Sequence, residues 1–369
     1  MAYQPSRQDR SVRLSLNLPD EDTNFDELAP RLHVRGSAWN REHITALRVV
    51  PLDECPISKI YPAGYLPRPN DPAFRPLKEL LLEPSPEQLM QWSSNSRLFD
   101  SNIFVDFFSA LSRSMKTANL SIPGSTRAPS AAASQSPSSD EDGPESHPQT
   151  AILSLINQIA IRLSPRPTLG ACYTIGVITT DMRLKLELGP PGLDQISANS
   201  DGGIALFGRG AGTSSDRPSD VPLVAVQAKR RHAGGLHRGT GQPERFNYKT
   251  LGQEVAELLG IACEQDRLLN RREDQEAFLI SIHGTQVRLV AAYFTADYLH
   301  AVKSKFLPAD QYLWVRRTRA MELKSRQGRE EALRNIMGLV YYLYSGEAKM
   351  NQIRLTKSQL QATYEKPRP

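Results

Sequence analysis

Apolar and polar positions alternate with two different periods along this chain, and the change of period marks its elements. Residues 151–163 (AILSLINQIAIRL) carry a helical pattern that Thr150 can cap and Ser164-Pro165 ends. Residues 171–179, 183–188 and 203–207 read as strands, and 222–229 (PLVAVQAK) reads as a buried-type strand. A helix is expected over 251–269, with Leu251, Val255, Leu258, Leu259 and Ala262 on its apolar face and Gln253, Glu257 and Glu264 on the solvated one. Residues 278–283 and 287–294 form an expected hairpin turning near Gly284, and 326–344 an amphipathic helix. Further upstream, 46–52 reads as a short strand, 86–92 as a helix capped by Ser85, and 102–115 as an apolar helix.

The order of helix, strands, long helix, strands and helix predicts an α/β (α+β) fold, a mixed β-sheet flanked by helices. Residues 1–27 are polar and read as a disordered tail, and 346–369 as a C-terminal tail. Residues 28–115 form an N-terminal accessory region. Residues 116–149 include a Ser/Pro/Ala-rich stretch with acids at Asp140, Glu141, Asp142 and Glu145. Such a composition buries too little apolar surface to offset its ordering entropy, so 116–149 is expected to be a disordered linker. The strongest patterns lie in 150–345.

Composition narrows the class. The chain has 369 residues, of which 39% are hydrophobic, enough for a sizeable core without staples. Neither a membrane-length apolar run nor an apolar leader is visible, so an intracellular protein, nuclear or cytoplasmic, is expected. Three cysteines without zinc spacing agree with a reducing compartment. The net charge is +5, and the excess is clustered. Lys229, Arg230, Arg231 and Arg238 form one basic stretch. Arg316, Arg317, Arg319, Lys324, Arg326 and Arg329 form another. Each reads as a solvated face, or as a phosphate-binding or import patch.

The chemistry concentrates between Asp201-Gly-Gly-Ile and Val224-Ala-Val-Gln227-Ala-Lys229. Residues i and i+2 of a strand share a face, so Gln227 and Lys229 project together. If the strand after Asp201 pairs beside them, one carboxylate, one amide and one lysine converge. The oxygens can hold Mg²⁺ (or Mn²⁺), and the lysine can stabilise charge on a phosphate. Asp216 and Asp220 are rival ligands. Gly208–Gly212 lacks the Gly-Lys-Ser/Thr of a P-loop, and no G-x-S-x-G, H-E-x-x-H or kinase motif set is present.

This constellation resembles the PD-(D/E)XK nuclease superfamily, in particular the divergent nuclease-like proteins common in filamentous fungi. The resemblance spans about 151–345, through element order as well as motif. Asp201 matches the metal-binding Asp, Lys229 matches the catalytic Lys, and Gln227 stands where the second acid usually is. The first helix offers only Asn157 and Gln158 where the family often has a Glu. The resemblance implies a restriction-endonuclease-like sheet and Mg²⁺-dependent phosphodiester hydrolysis of DNA or RNA. Asp201 and Gln227 would hold the metal, Arg230, Arg231 and Arg238 would contact phosphates, and Gln253 and Glu257 would lie near the site. A catalytically inactive fold that binds nucleic acid or protein in a fungal pathway is the alternative.

Overall fold

A computed structural model describes residues 4–14, 16, 18–92, 101–119, 146–163, 173–190, 196–208, 221–229, 248–269 and 271–364. Seven strands build the main sheet: β1 (Val49–Cys55), β2 (Tyr173–Ile178), β3 (Gly203–Gly208), β4 (Val224–Lys229), β5 (Gln275–His283), β6 (Gln286–Phe294) and β7 (Leu313–Thr318). Their order is β1-β7-β6-β5-β4-β3-β2, and the two-residue strand Met321–Glu322 adds to β6. The pairs β2/β3, β3/β4, β5/β6 and β6/β7 are antiparallel, whereas β4/β5 and β7/β1 are parallel.

Parallel neighbours need a long crossover. Between β4 and β5 it contains a 20-residue helix (Tyr248–Arg267). Two more long helices are Ser146–Leu163 and Arg326–Tyr344. In chain order these three are α1 (Ser146–Leu163), α2 (Tyr248–Arg267) and α3 (Arg326–Tyr344). The expected mixed sheet flanked by helices is therefore present. α3 lies on the face that carries Phe278, whose ring meets Tyr342 edge-on, and α1 packs beside it. α2 covers the opposite face, which carries Gln227.

α2 departs from its expected amphipathicity. From Leu251 to Cys263 it is buried almost all round, Glu254 and Glu257 included. Its outer side is covered by a hairpin (Met182–Leu186 and Ile196–Ser200), by the helix Arg41–Ala46 and by the turn Gly36–Ala38. Small residues permit that second contact. A Cβ at Gly252 would stand 2.6 Å from the Trp39 carbonyl oxygen, and one at Gly260 2.7 Å from Leu184 Cβ. Glu257 is thus not on a solvated face.

Other differences are local. α1 begins at Ser146, so Thr150 lies inside it rather than at its cap. The chain before β1 is a helix, Arg41–Ala46, and Arg48 turns it into the strand at φ 52°. Part of the expected N-terminal tail is ordered. Helix Arg7–Leu14 is tied by Asp9 to Lys59 (2.7 Å), and Thr23–Asn24 pairs with Phe306–Leu307. The expected C-terminal tail contains helix Asn351–Tyr364, anchored where Asn351 Nδ2 donates to the Gln265 carbonyl (3.0 Å). Short polar helices owe their stability to such tertiary contacts, which periodicity does not register. Most of the expected linker, 120–145, lies outside the described residues.

One hydrophobic cluster runs from Phe25 to Ile353 and joins 28–115 to 150–345. Among the described residues no helix is long and apolar enough to cross a membrane. Half of the second basic run is internal, whereas Arg319 and Arg326 are exposed and Lys324 is half-buried. Arg329 is wholly buried and donates to the carbonyls of Leu81, Pro84, Leu323 and Lys324, and Arg316 and Arg317 are buried too.

Candidate active site at the ends of the central strands

Asp201 stands two residues before β3, and the Asp201–Gly202 turn is fastened to β4 by three hydrogen bonds. Its N–H donates to the Val226 carbonyl (2.8 Å), and the Val226 N–H donates to the Gly202 carbonyl (2.9 Å). Its Oδ2 accepts the Ala228 N–H at 2.6 Å, between Gln227 and Lys229. Gln149 of α1 donates to its backbone oxygen (2.6 Å). Gly202 makes this junction possible at φ 141°, a conformation that side chains resist. The expected convergence of Asp201 with the Gln227–Lys229 strand end is present in the fold.

Gln227 is completely buried. Its Nε2 donates to Glu257 Oε1 (3.2 Å), and its Oε1 accepts from Ser281 Oγ (3.4 Å). Gln253 Nε2 also donates to Glu257 Oε1 (3.2 Å), and His283 Nε2 lies 3.0 Å from Ser281 Oγ. A polar chain therefore links α2 to β4 and β5. Register explains it: Gln227 pairs with Ser281 and Lys229 with His283, so all four share a face. Lys229 ends β4, and its carbonyl accepts the Gly284 N–H from the β5–β6 turn (2.7 Å).

Glu257 carries the tension of this site. Its Oε2 is buried and has no hydrogen-bond partner among the described residues. Burial raises its pKa well above the usual carboxylate range, and the charge of Asp201 raises it further. Lys229 and the Gln253 hydrogen bond oppose the shift. A second polar group lies along the same helix. Arg317 of β7 places Nε 3.1 Å from Glu254 Oε2 and Nη1 3.1 Å from Asp53 Oδ1.

Asp201 and Glu257 are the carboxyl groups that the described residues bring to this site, and carboxylates suit Mg²⁺ or Mn²⁺. The orphaned buried Oε2 and the repulsion between the two carboxylates are what a bound cation would relieve, so these residues fit one. Gln227 spends its oxygen on Ser281 and its amide on Glu257. Among the described residues no three His, Cys, Asp or Glu side chains form a group able to hold a metal. Arg230, Arg231 and Arg238 lie outside the described residues, as do Asp216 and Asp220. Asn157 and Gln158 are half-buried on α1, whose Gln149 is the residue bonded to Asp201.

Gln149, Ser281, His283 and the buried role of Glu257 escaped the sequence reading. Two signals were there to be used. Ser281 and His283 share i, i+2 parity on a strand. Small residues at 252, 256 and 260 mark a second buried face on α2. Compared with protein-family models and with curated proteins, the chain matches none.

Proposed function

We propose that this chain is a divalent-metal-dependent phosphodiesterase of the PD-(D/E)XK-like class that hydrolyses DNA or RNA. The observation that carries the reading is Glu257: a buried carboxylate with one orphaned oxygen, placed by α2 on the face that carries Gln227 and Lys229. It offers the second anionic oxygen that Gln227 does not. The order of elements in the main sheet supports the same reading: a helix, three antiparallel strands with the separate hairpin inserted after the first, a crossover helix and a parallel strand.

In this reading Asp201 and Glu257 hold Mg²⁺ or Mn²⁺. A metal held there would supply Lewis-acid polarisation of a phosphoryl oxygen and acidify a water. Gln227 and Gln253 grip Glu257 Oε1 and thereby orient Oε2. Lys229 stabilises negative charge developing on the phosphate. Arg230, Arg231 and Arg238 contact flanking phosphates, so binding weakens with salt. The protein would work in the nucleus or cytoplasm, where its buried thiols Cys55 and Cys263 stay reduced.

One observation favours a second reading, a silent fold that binds nucleic acid or a protein partner. The Gln227 amide is engaged at both ends, where an acid would have supplied a further charge. A nuclease assay with Mg²⁺ or Mn²⁺ on single- and double-stranded DNA and RNA separates the two. Asp201→Ala, Lys229→Ala and Glu257→Gln should each lower activity about a hundredfold or more, while Gln227→Glu should keep or raise it. Wild type that cleaves nothing, with Gln227→Glu equally inert, would exclude the enzyme.

A further inference from the structure

We infer that Arg288 forms a phosphate-binding subsite for a polynucleotide backbone beside the candidate active site. The inference rests on the phosphodiester reading and assigns a substrate contact to a strand that the motif does not include.

Register places the residue. Gln227 of β4 pairs with Ser281 of β5, and Ser281 pairs with Arg288 of β6. Directly paired residues point to the same face, so Gln227, Ser281 and Arg288 form one row across three strands. Strands lie about 4.8 Å apart, which puts the Arg288 backbone roughly 10 Å from that of Gln227. Both stand near the same end of the sheet, where β4 finishes and β6 starts.

Charge sets Arg288 apart from its neighbour. Arg317 takes Glu254 and Asp53 as ion-pair partners and is buried between them. Burial opposes its charge, but the two acids outweigh burial and hold its pKa above the ordinary arginine value. Arg288 is half-buried, and among the described residues its side chain makes neither a hydrogen bond nor an ion pair. Burial and the charge of Arg317 hold its pKa down, against the opposing charges of Glu254, Asp53 and Glu54. A partly desolvated guanidinium beside a second cation, with no side-chain partner among the described residues, is costly unless an anion completes it. Phosphate matches that fork bidentately. A nucleic-acid strand lying across the strand ends would carry one phosphate to Lys229 and a flanking one to Arg288.

The test is binding, read separately from cleavage. Fluorescently labelled single-stranded DNA, single-stranded RNA and duplex DNA would be titrated with the full chain in EDTA at several salt concentrations. Arg288→Gln should weaken binding about tenfold and reduce the slope of log K against log salt by about one. Arg288→Lys should keep the slope and lose part of the affinity. Arg319→Gln, an exposed arginine paired with Glu331, should bind like wild type. Thermal unfolding of each variant separates lost contact from lost fold. If Arg288→Gln does not fold, Arg288→Lys carries the test, and wild-type affinity in it overturns the inference. Unchanged affinity and slope in a folded Arg288→Gln overturns it as well. So does a wild type that binds none of the three oligonucleotides, which would also sink the nucleic-acid reading. Wild type that binds through Arg288 without cleaving leaves the subsite standing and removes only the catalytic claim.

Discussion

Gly202 and Glu257 show how much rests on single residues here. At φ 141°, Gly202 lets Asp201 and Ser200 both reach β4, and a Cβ there would stand 2.7 Å from the Ile178 carbonyl oxygen. Gly202→Ala is therefore expected to destabilise by about 2 kcal/mol, measured by denaturant unfolding, and to lower any activity through a displaced Asp201. Glu257 behaves oppositely, because burial and the neighbouring Asp201 disfavour its charged form. Glu257→Gln should leave the metal-free protein at least as stable as wild type at neutral pH. Saturating Mg²⁺ should raise the wild-type Tm by roughly 5 °C, as a ligand at about a hundred times its Kd does. The variant should gain nothing. A variant that responds to Mg²⁺ like wild type would remove Glu257 from the ligand set. Both residues carry sequence signals, Asp-Gly-Gly before a strand and a Glu on a helix. Only the first reads correctly without the fold, because a turn is local and burial of a helix face is not.

Elements differ in how they are held. α3 and the β5–β6 hairpin follow from pattern alone. Ser325 caps α3 by accepting the Gly328 N–H (3.0 Å), and Gly284 turns the hairpin at φ 62°. The junction around Asp274 depends on four separate segments. Its carboxylate accepts the Tyr293 hydroxyl of β6 and the Ala296 N–H (3.0 Å) that opens the next helix, and Lys349 and Arg354 lie near. Burial pushes the Asp274 pKa up, but these partners outweigh it and hold it below the ordinary value. The folded state therefore binds this proton less tightly than the unfolded state does. The stability it contributes is present above the ordinary aspartate pKa and is lost as pH falls through the lowered one. Asp274→Asn should cost about 1 kcal/mol at neutral pH, modest because the site is partly solvated. It should also flatten the acid limb of a Tm-against-pH curve. An unchanged acid limb would show that the junction does not depend on this charge.

Across the whole molecule, the N-terminal third and the motif-bearing part are one folding unit. β1 pairs with β7 at the sheet edge, Phe107, Phe108 and Leu111 are buried beside α1, and a single core extends from Phe25 to Ile353. Calorimetry should therefore show one cooperative transition. A fragment of residues 146–369 would expose the β7 edge and the apolar side of α1, and is expected to aggregate rather than fold. A soluble fragment with native circular dichroism would refute that coupling.

The amino-acid pattern by itself determined helices α1–α3, strands β2–β6, the hairpin at Gly284 and the mixed-sheet class, and it made the convergence of Asp201 with Gln227 and Lys229 conditional on the pairing of β3 with β4. These follow from periods of two and 3.6 and from turn chemistry, which act over a few residues. Tertiary structure alone decided that Val49–Cys55 joins the sheet, that Arg316, Arg317 and Arg329 are internal, and that Glu257 is a buried partner of Gln227. Each of these depends on a surface contributed by distant chain. A charged residue reads as solvated until the segment that covers it is known, and neither the cover nor the register that aligns Arg288 with Gln227 leaves a periodic trace.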